Sequence, residues 1–140
     1  MKNTQHTLTL AHAGGSPKFP ENSVLAIEEG LKYHPDLVEI DVRMSIDGVL
    51  YCYHGPKMLY PIFHLFPFLP FWLIRFLTRA DTLEVCLSIF QGKTTGVFLD
   101  FKQDNIHPNR IEALRKQFDI QNVWIGSRKL HFLKKFKNTF

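Results

Sequence analysis

The chain has little cysteine, no signal-peptide pattern in its first residues and no repeat, and each absence narrows what is expected of it. Only two cysteines, Cys52 and Cys86, occur in 140 residues. They lie far apart in sequence and match no metal-binding or redox spacing. Two thiols do not make a disulfide framework, so a reducing compartment and a cytoplasmic location are the expectation. The N-terminus, MKNTQHTLTLAHAGG, has one short apolar stretch before polar and glycine residues. It lacks the apolar core of a signal peptide, and export by that route is not expected. No nucleic-acid motif with interleaved basic and aromatic residues is present, so nucleic acid is not expected as a partner. Charge is modest. Charged residues make up 21%, and a formal net charge of +4 with a pI near 9.1 favours anionic partners only weakly. No repeat or low-complexity tract divides the chain, so residues 1–140 read as a single domain, with 45% hydrophobic residues to fill a core.

What is present is an alternation of short apolar runs with helical patterns, as in β/α units built on a parallel sheet. Thr7 to Ala11 reads as a first strand running into Gly14 and Gly15. Asn22 or Ser23 can cap a helix with Val24, Ile27 and Leu31 on its apolar face, and Pro35 requires that helix to have ended. Leu37 to Val42 and Val49 to His54 read as second and third strands around a turn at Asp47-Gly48. Asp81 with Glu84 resembles a capping box for a helix that reaches Phe90 and stops at Gly92. Gly96 to Phe101 is a fourth strand, and Pro108 opens a helix with Ile111, Leu114 and Phe118 on one face. Val123 to Ile125 is a fifth strand. The basic residues from Arg128 to Lys137 then form the outer face of a last helix, with Leu130, Leu133 and Phe136 inward.

One stretch breaks this rhythm. Leu59 to Ile74, LYPIFHLFPFLPFWLI, is almost wholly apolar and aromatic and is interrupted by Pro61, Pro67 and Pro70. It is short for a membrane span. Three readings stay open: an insertion, about residues 56–80, folded over the mouth of the sheet; a lid that meets a membrane or lipid surface; and a transmembrane helix.

Side chains two apart on a strand share a face. Glu39 and Asp41 therefore project together from VEIDV, and two adjacent carboxylates are costly to bury without a cation. A hard divalent metal, which takes oxygen ligands, is the simplest compensation; ion pairs with Arg43 and Lys102 are the plainer one. His12 ends the first strand, His54 ends the third, and Asp100 and Lys102 lie together near the end of the fourth, in FLDFK. Polar side chains gathered at the carboxyl ends of parallel strands are where a β/α barrel places its catalysis. Structural histidines and a simple Asp100–Lys102 pair are the alternatives. His6, His34, His64, His107 and His131 read as surface or packing residues, and Cys52 as an interior barrel side chain.

Taken in order, AHAGG, PENS, VEIDVRMSIDG, YCYHG, TLEVCLSIF and FLDFK resemble the signature of the glycerophosphodiester phosphodiesterases, over residues 7–126. The resemblance implies an α/β fold, a TIM-type (β/α) barrel, with about five of its eight β/α units present as a half-barrel or truncated barrel. It implies a metal-dependent phosphodiester hydrolase of lipid metabolism, acting on a glycerophosphodiester or a lipid-like phosphodiester. Glu39, Asp41 and Asp100 would hold Mg²⁺ or Ca²⁺, and His12 and His54 would be the general acid and base. Lys102 would meet a phosphate oxygen, and Glu21 would assist the metal or His12 from the edge. Two residues depart from the pattern: Ala13 stands where many members have arginine, and Asp100 where glutamate is commoner. A complete barrel takes about 250 residues. Three explanations of the length stay open: a fragment of a longer protein with a missing C-terminal half, a shortened protein that pairs with itself or another half, and an inactive remnant. The alternative function is a catalytically inactive half-barrel that serves as a binding or assembly module. Peripheral membrane contact through residues 59–74 is the remaining expectation about partners.

Overall fold

The computed structural model describes residues 7–55 and 68–137. Its elements in chain order are β1 (Leu10–Ala11), a single 3-10 turn (His12–Gly14), α1 (Val24–Leu31), β2 (Leu37–Met44), β3 (Leu50–Cys52), α2 (Phe71–Thr78), β4 (Asp81–Thr82), α3 (Leu83–Ser88), β5 (Gly96–Phe101), α4 (Pro108–Gln117), β6 (Val123–Ser127) and α5 (Leu130–Phe136). β1, β2, β5 and β6 are parallel neighbours in that order, and the antiparallel pair β3 and β4 extends the sheet from β2.

Strand parity divides the sheet into two unlike faces. Val38, Ile40 and Val42 of β2, with Val97, Leu99 and Phe101 of β5, point to one side and are buried in a single cluster. Ile27 of α1, Leu83, Cys86 and Leu87 of α3, Ile111 of α4, and Phe132 and Phe136 of α5 close over them. Burying side chains of this size is worth roughly 1.5–3 kcal/mol each, so the helices are fixed to this face. Phe101, Phe132 and Phe136 meet with ring centroids 5.0–5.5 Å apart. The other face carries Leu10, Glu39, Asp41, Phe98, Asp100 and Trp124, as the register requires. The helices of the core cluster do not reach it, and α2 meets this side at Tyr51 of β3. Parallel strands with their helices packed on the outer face form an incomplete (β/α) barrel, whose interior side holds the carboxylates.

Several expectations are met closely. Ser23 caps α1 by accepting from the Ala26 N–H, the fourth predicted strand coincides with β5, and Pro108 opens α4. Others are corrected. The third predicted strand is not a barrel stave: β3 runs antiparallel to β2, with Cys52 opposite Val42 and Leu50 opposite Met44. The reason is the length of the connection. A few residues around Asp47-Gly48 can close a hairpin, whereas a parallel crossover takes a dozen or more. Thr82, not Asp81, caps α3 by accepting from the Val85 N–H, and Asp81 instead accepts from the N–H of Val24 at the start of α1. In α5 the inward residues are Phe132 and Phe136, because an aromatic pair one turn apart reaches Phe101; Leu130 is exposed. Cys52 lies in the outer core and not in the barrel interior, and both cysteines are free and buried. Burial and the neighbouring Cys86 push the Cys52 thiol up, which keeps it protonated. His34, His107 and His131 are at the surface, while His6 and His64 fall outside the described residues. Of the apolar insertion, residues 56–67 also fall outside them, and the remainder contains α2. No helix among the described residues is long and apolar enough to cross a membrane.

Candidate metal centre

The site is organised on β2. Along one edge β1 pairs only as far as Val38, and β3 takes over only from Val42. Glu39, Ile40 and Asp41 are left between the two. β1 approaches this gap from below and runs into the His12 turn; β3 returns from above, ends at Cys52 and is followed two residues on by His54. The two histidines thus reach the same stretch of β2 from opposite directions. The Ala13 N–H donates to Glu39 Oε2 at 2.7 Å, and the Tyr53 N–H to the Asp41 carbonyl at 3.1 Å.

The gap is plugged by Asn22. The backbone groups of Leu37 and Asp41 point to this edge, since the Leu37 N–H donates to the Thr9 carbonyl and the Asp41 carbonyl accepts from Tyr53. Asn22 Oδ1 accepts from the Asp41 N–H at 2.8 Å and its Nδ2 donates to Asp41 Oδ2 at 2.9 Å. One side-chain amide therefore completes the ladder where a strand is missing and fixes the carboxylate beside it. Asn22 is buried with φ of 62°, in the left-handed region that asparagine tolerates better than most residues. Its neighbour Glu21 stands exposed at the rim of the clefts that hold His12 and His54, outside the carboxylate cluster.

Glu39, Asp41 and Asp100 each offer an oxygen, all within 4.8 Å of one another. β5 delivers the third because Asp41 and Asp100 are register partners. Lys102 lies among them, 2.5 Å from Asp41 Oδ1 and in contact with Asp100 Oδ2. Burial pulls the Lys102 ammonium down, but its bonds to Asp100 and Asp41 outweigh this and its pKa is raised overall. The ion pairs that the residue pattern left open thus form with Lys102. Arg43 is used differently: its Nε donates to the Tyr53 carbonyl and its Nη2 to the His54 carbonyl, both at 3.0 Å, which holds the chain at the second histidine. Burial raises the Glu39 carboxyl, against the Ala13 N–H, which lowers it. The His12 ring is open to solvent, with Nε2 3.8 Å from Glu39 Oε2.

The donor set suits a hard divalent cation: three carboxylates and no thiol or imidazole within the cluster. Asp41 Oδ1 adds a specific reason. It is buried and accepts no well-directed hydrogen bond, with the Lys102 ammonium 2.5 Å away. The two departures also acquire a geometry. At residue 13 a backbone N–H, not a side chain, meets Glu39, and the shorter Asp100 still reaches the cluster.

Fold and site together define an incomplete (β/α) barrel with a carboxylate cluster on its interior face. A sequence profile of the glycerophosphoryl diester phosphodiesterase family matches residues 12–125, and the chain belongs to that family. A glycerophosphodiester phosphodiesterase of Bacillus subtilis is 39% identical over 51 residues, 36% of this chain and 17% of that protein. One from Caldanaerobacter subterraneus is 38% identical over 48 residues, 34% of this chain and 20% of that protein. Among solved structures, a glycerophosphodiester phosphodiesterase from Agrobacterium tumefaciens superposes with a TM-score of 0.73 at 22% identity, covering 96% of this chain and 63% of that one. Another, from Thermotoga maritima, gives 0.73 at 24%, covering 94% and 59%. The chain therefore spans about 60% of the length of these barrels.

Proposed function

We propose that this chain carries the centre of a metal-dependent phosphodiester hydrolase acting on a glycerophosphodiester or a lipid-like phosphodiester. The observation that carries the reading is the convergence of Glu39, Asp41 and Asp100 on the open face, with His12 and His54 brought to the same strand from opposite sides. A divalent cation, Mg²⁺ or Ca²⁺, held by the three carboxylates would neutralise charge that develops on the phosphoryl group. One imidazole accepts the proton of the attacking substrate hydroxyl, and the other donates a proton to the departing alkoxide oxygen. Water then opens the cyclic product with the two roles exchanged. Lys102 supplies positive charge to a phosphate oxygen, and Asn22 holds Asp41 in place.

The test is hydrolysis of a glycerophosphodiester by the purified chain with Mg²⁺ or Ca²⁺, and again after chelation. Turnover is expected to need the cation and to fall by at least about 10²-fold on His12→Asn, His54→Asn or Glu39→Gln. Turnover that survives both chelation and Glu39→Gln would sink this reading. A second reading, a catalytically silent assembly module, is favoured by one observation: the interior face leaves Leu10 47% and Trp124 45% exposed. It predicts no turnover, together with a particle heavier than one chain.

A further inference from the structure

The helix α2 has two apolar sides, and the protein uses one of them. Its inner side packs on β3: Ile74 and Ala80 are buried with Tyr51, and Leu69, Phe71 and Tyr53 lie against them. The Tyr51 and Phe71 rings are 5.9 Å apart. Asp47 Oδ1 accepts from the Phe71 N–H at 3.0 Å, and the Ile46 N–H donates to the Leu69 carbonyl, which fixes the start of the helix to the β2–β3 hairpin. The helix cannot roll its other side inward without breaking these contacts. That other side presents Trp72, 69% exposed, and Phe76, 80% exposed, one turn apart, with Phe68 and Leu77 exposed beside them.

The charged residues in the stretch of sequence that carries this apolar stripe have one sign. Arg75 and Arg79 are exposed on or next to it and form no salt bridge among the described residues. From Gly55 to Ala80 the sequence contains no Asp or Glu. Aromatic side chains bordered by arginines on the outer side of the helix suit the boundary between anionic headgroups and acyl chains, and the carboxylate that α2 meets, Asp47, is held at its first turn by the Phe71 N–H. The position fits as well, because Thr78 and Arg79 at the end of α2 line the same cleft as His54 and Glu21.

We propose that the outer side of α2, carrying Phe68, Trp72, Phe76 and Leu77 with Arg75 and Arg79, docks the protein on an anionic lipid surface, bringing the His54 cleft to the headgroups. The association is peripheral: the aromatic residues enter the headgroup boundary and the arginines meet lipid phosphates.

The experiment is sedimentation of the full chain with vesicles of phosphatidylcholine alone and mixed with phosphatidylglycerol, at low and high salt. It is paired with Trp72 fluorescence in a Trp124→Phe chain. Binding to the mixed vesicles, weakening as salt rises, and a blue shift of Trp72 on lipid are expected. Trp72→Ser with Phe76→Ser should lower partitioning at least about tenfold, because two aromatic side chains no longer leave water. Arg75→Glu, which touches no apolar contact, should lower binding to the mixed vesicles by about tenfold. Absence of binding by the parent chain, or equal binding by these variants, overturns the proposal. So does a Trp72 emission already blue-shifted without lipid in a particle heavier than one chain, which would show a second copy on this surface. Binding is read without turnover, so failure here leaves the hydrolase reading intact.

Discussion

Asn22 carries more of the site than its size suggests. Replacing it by alanine leaves the buried Asp41 N–H without an acceptor and removes the donor to Asp41 Oδ2. An unsatisfied buried group costs about 1–3 kcal/mol, and urea denaturation of Asn22→Ala without metal should show a loss in that range. Asn22→Asp should be worse, since it sets a carboxylate against a carboxylate. Glu39 gives the opposite sign. Burial raises its carboxyl, so its contribution to stability is present below the unfolded value and lost as pH rises through the folded one. At neutral pH its ionisation opposes folding. Glu39→Gln should therefore leave the metal-free protein at least as stable as the parent, and should abolish the rise in thermal midpoint expected of the parent on adding Ca²⁺ or Mg²⁺; calorimetry reads both. The carboxylates were legible in the sequence because strand parity alone puts Glu39 and Asp41 on one face. Asn22 was not, because adjacent residues of a turn point in directions that only the turn's dihedrals decide. A left-handed asparagine directly after Glu21 turns inward and leaves the glutamate outside.

Among the elements, the junction of the first turn with α1 is the tightest. A β-carbon on Gly30 would lie 2.2 Å from the Gly14 carbonyl oxygen, which is backbone and cannot rotate away. Gly30→Ala should therefore cost about 1–3 kcal/mol and displace the His12 turn, so its loss of turnover should exceed that expected from the unfolded fraction alone. At the other end, Asp104 ties the segment after β5 to α5 through Lys129 Nζ at 2.8 Å and His131 Nε2 at 3.1 Å. These bonds hold its carboxyl down, at about 2. A depressed carboxyl gives stability above its unfolded value, near 3.8, and loses it as pH falls through about 2. The thermal midpoints of parent and Asp104→Asn should thus differ at neutral pH and converge in acid, by a small amount because the pair is exposed to solvent. Strand and helix positions were readable wherever Pro, Gly or a β-branched run marked them. The direction of β3 was misread because apolar content identifies a strand without stating its orientation; the short connection at Asp47-Gly48 held that information.

At the scale of the molecule the two faces of the sheet differ in kind. One is sealed by α1, α3, α4 and α5; the other, which carries the carboxylates, leaves Leu10 and Trp124 in water. Light scattering is expected to give a particle heavier than the single chain of 16.4 kDa, and Trp124→Lys should shift the mass toward that value. This face was foreseeable from length, since about 250 residues close such a barrel, but which side chains it would bare depended on the register of β6 with β5. The arrangement around β2 has a further consequence. The His12 turn, Asn22, the segment at His54 and the strand of Asp100 each bond directly to this one strand, so it acts as a common datum and positional errors do not accumulate from one group to the next. Chain length between the anchored points is then free to vary without detuning their spacing, and the hairpin side that carries α2 is a place where such a blueprint can acquire new surface.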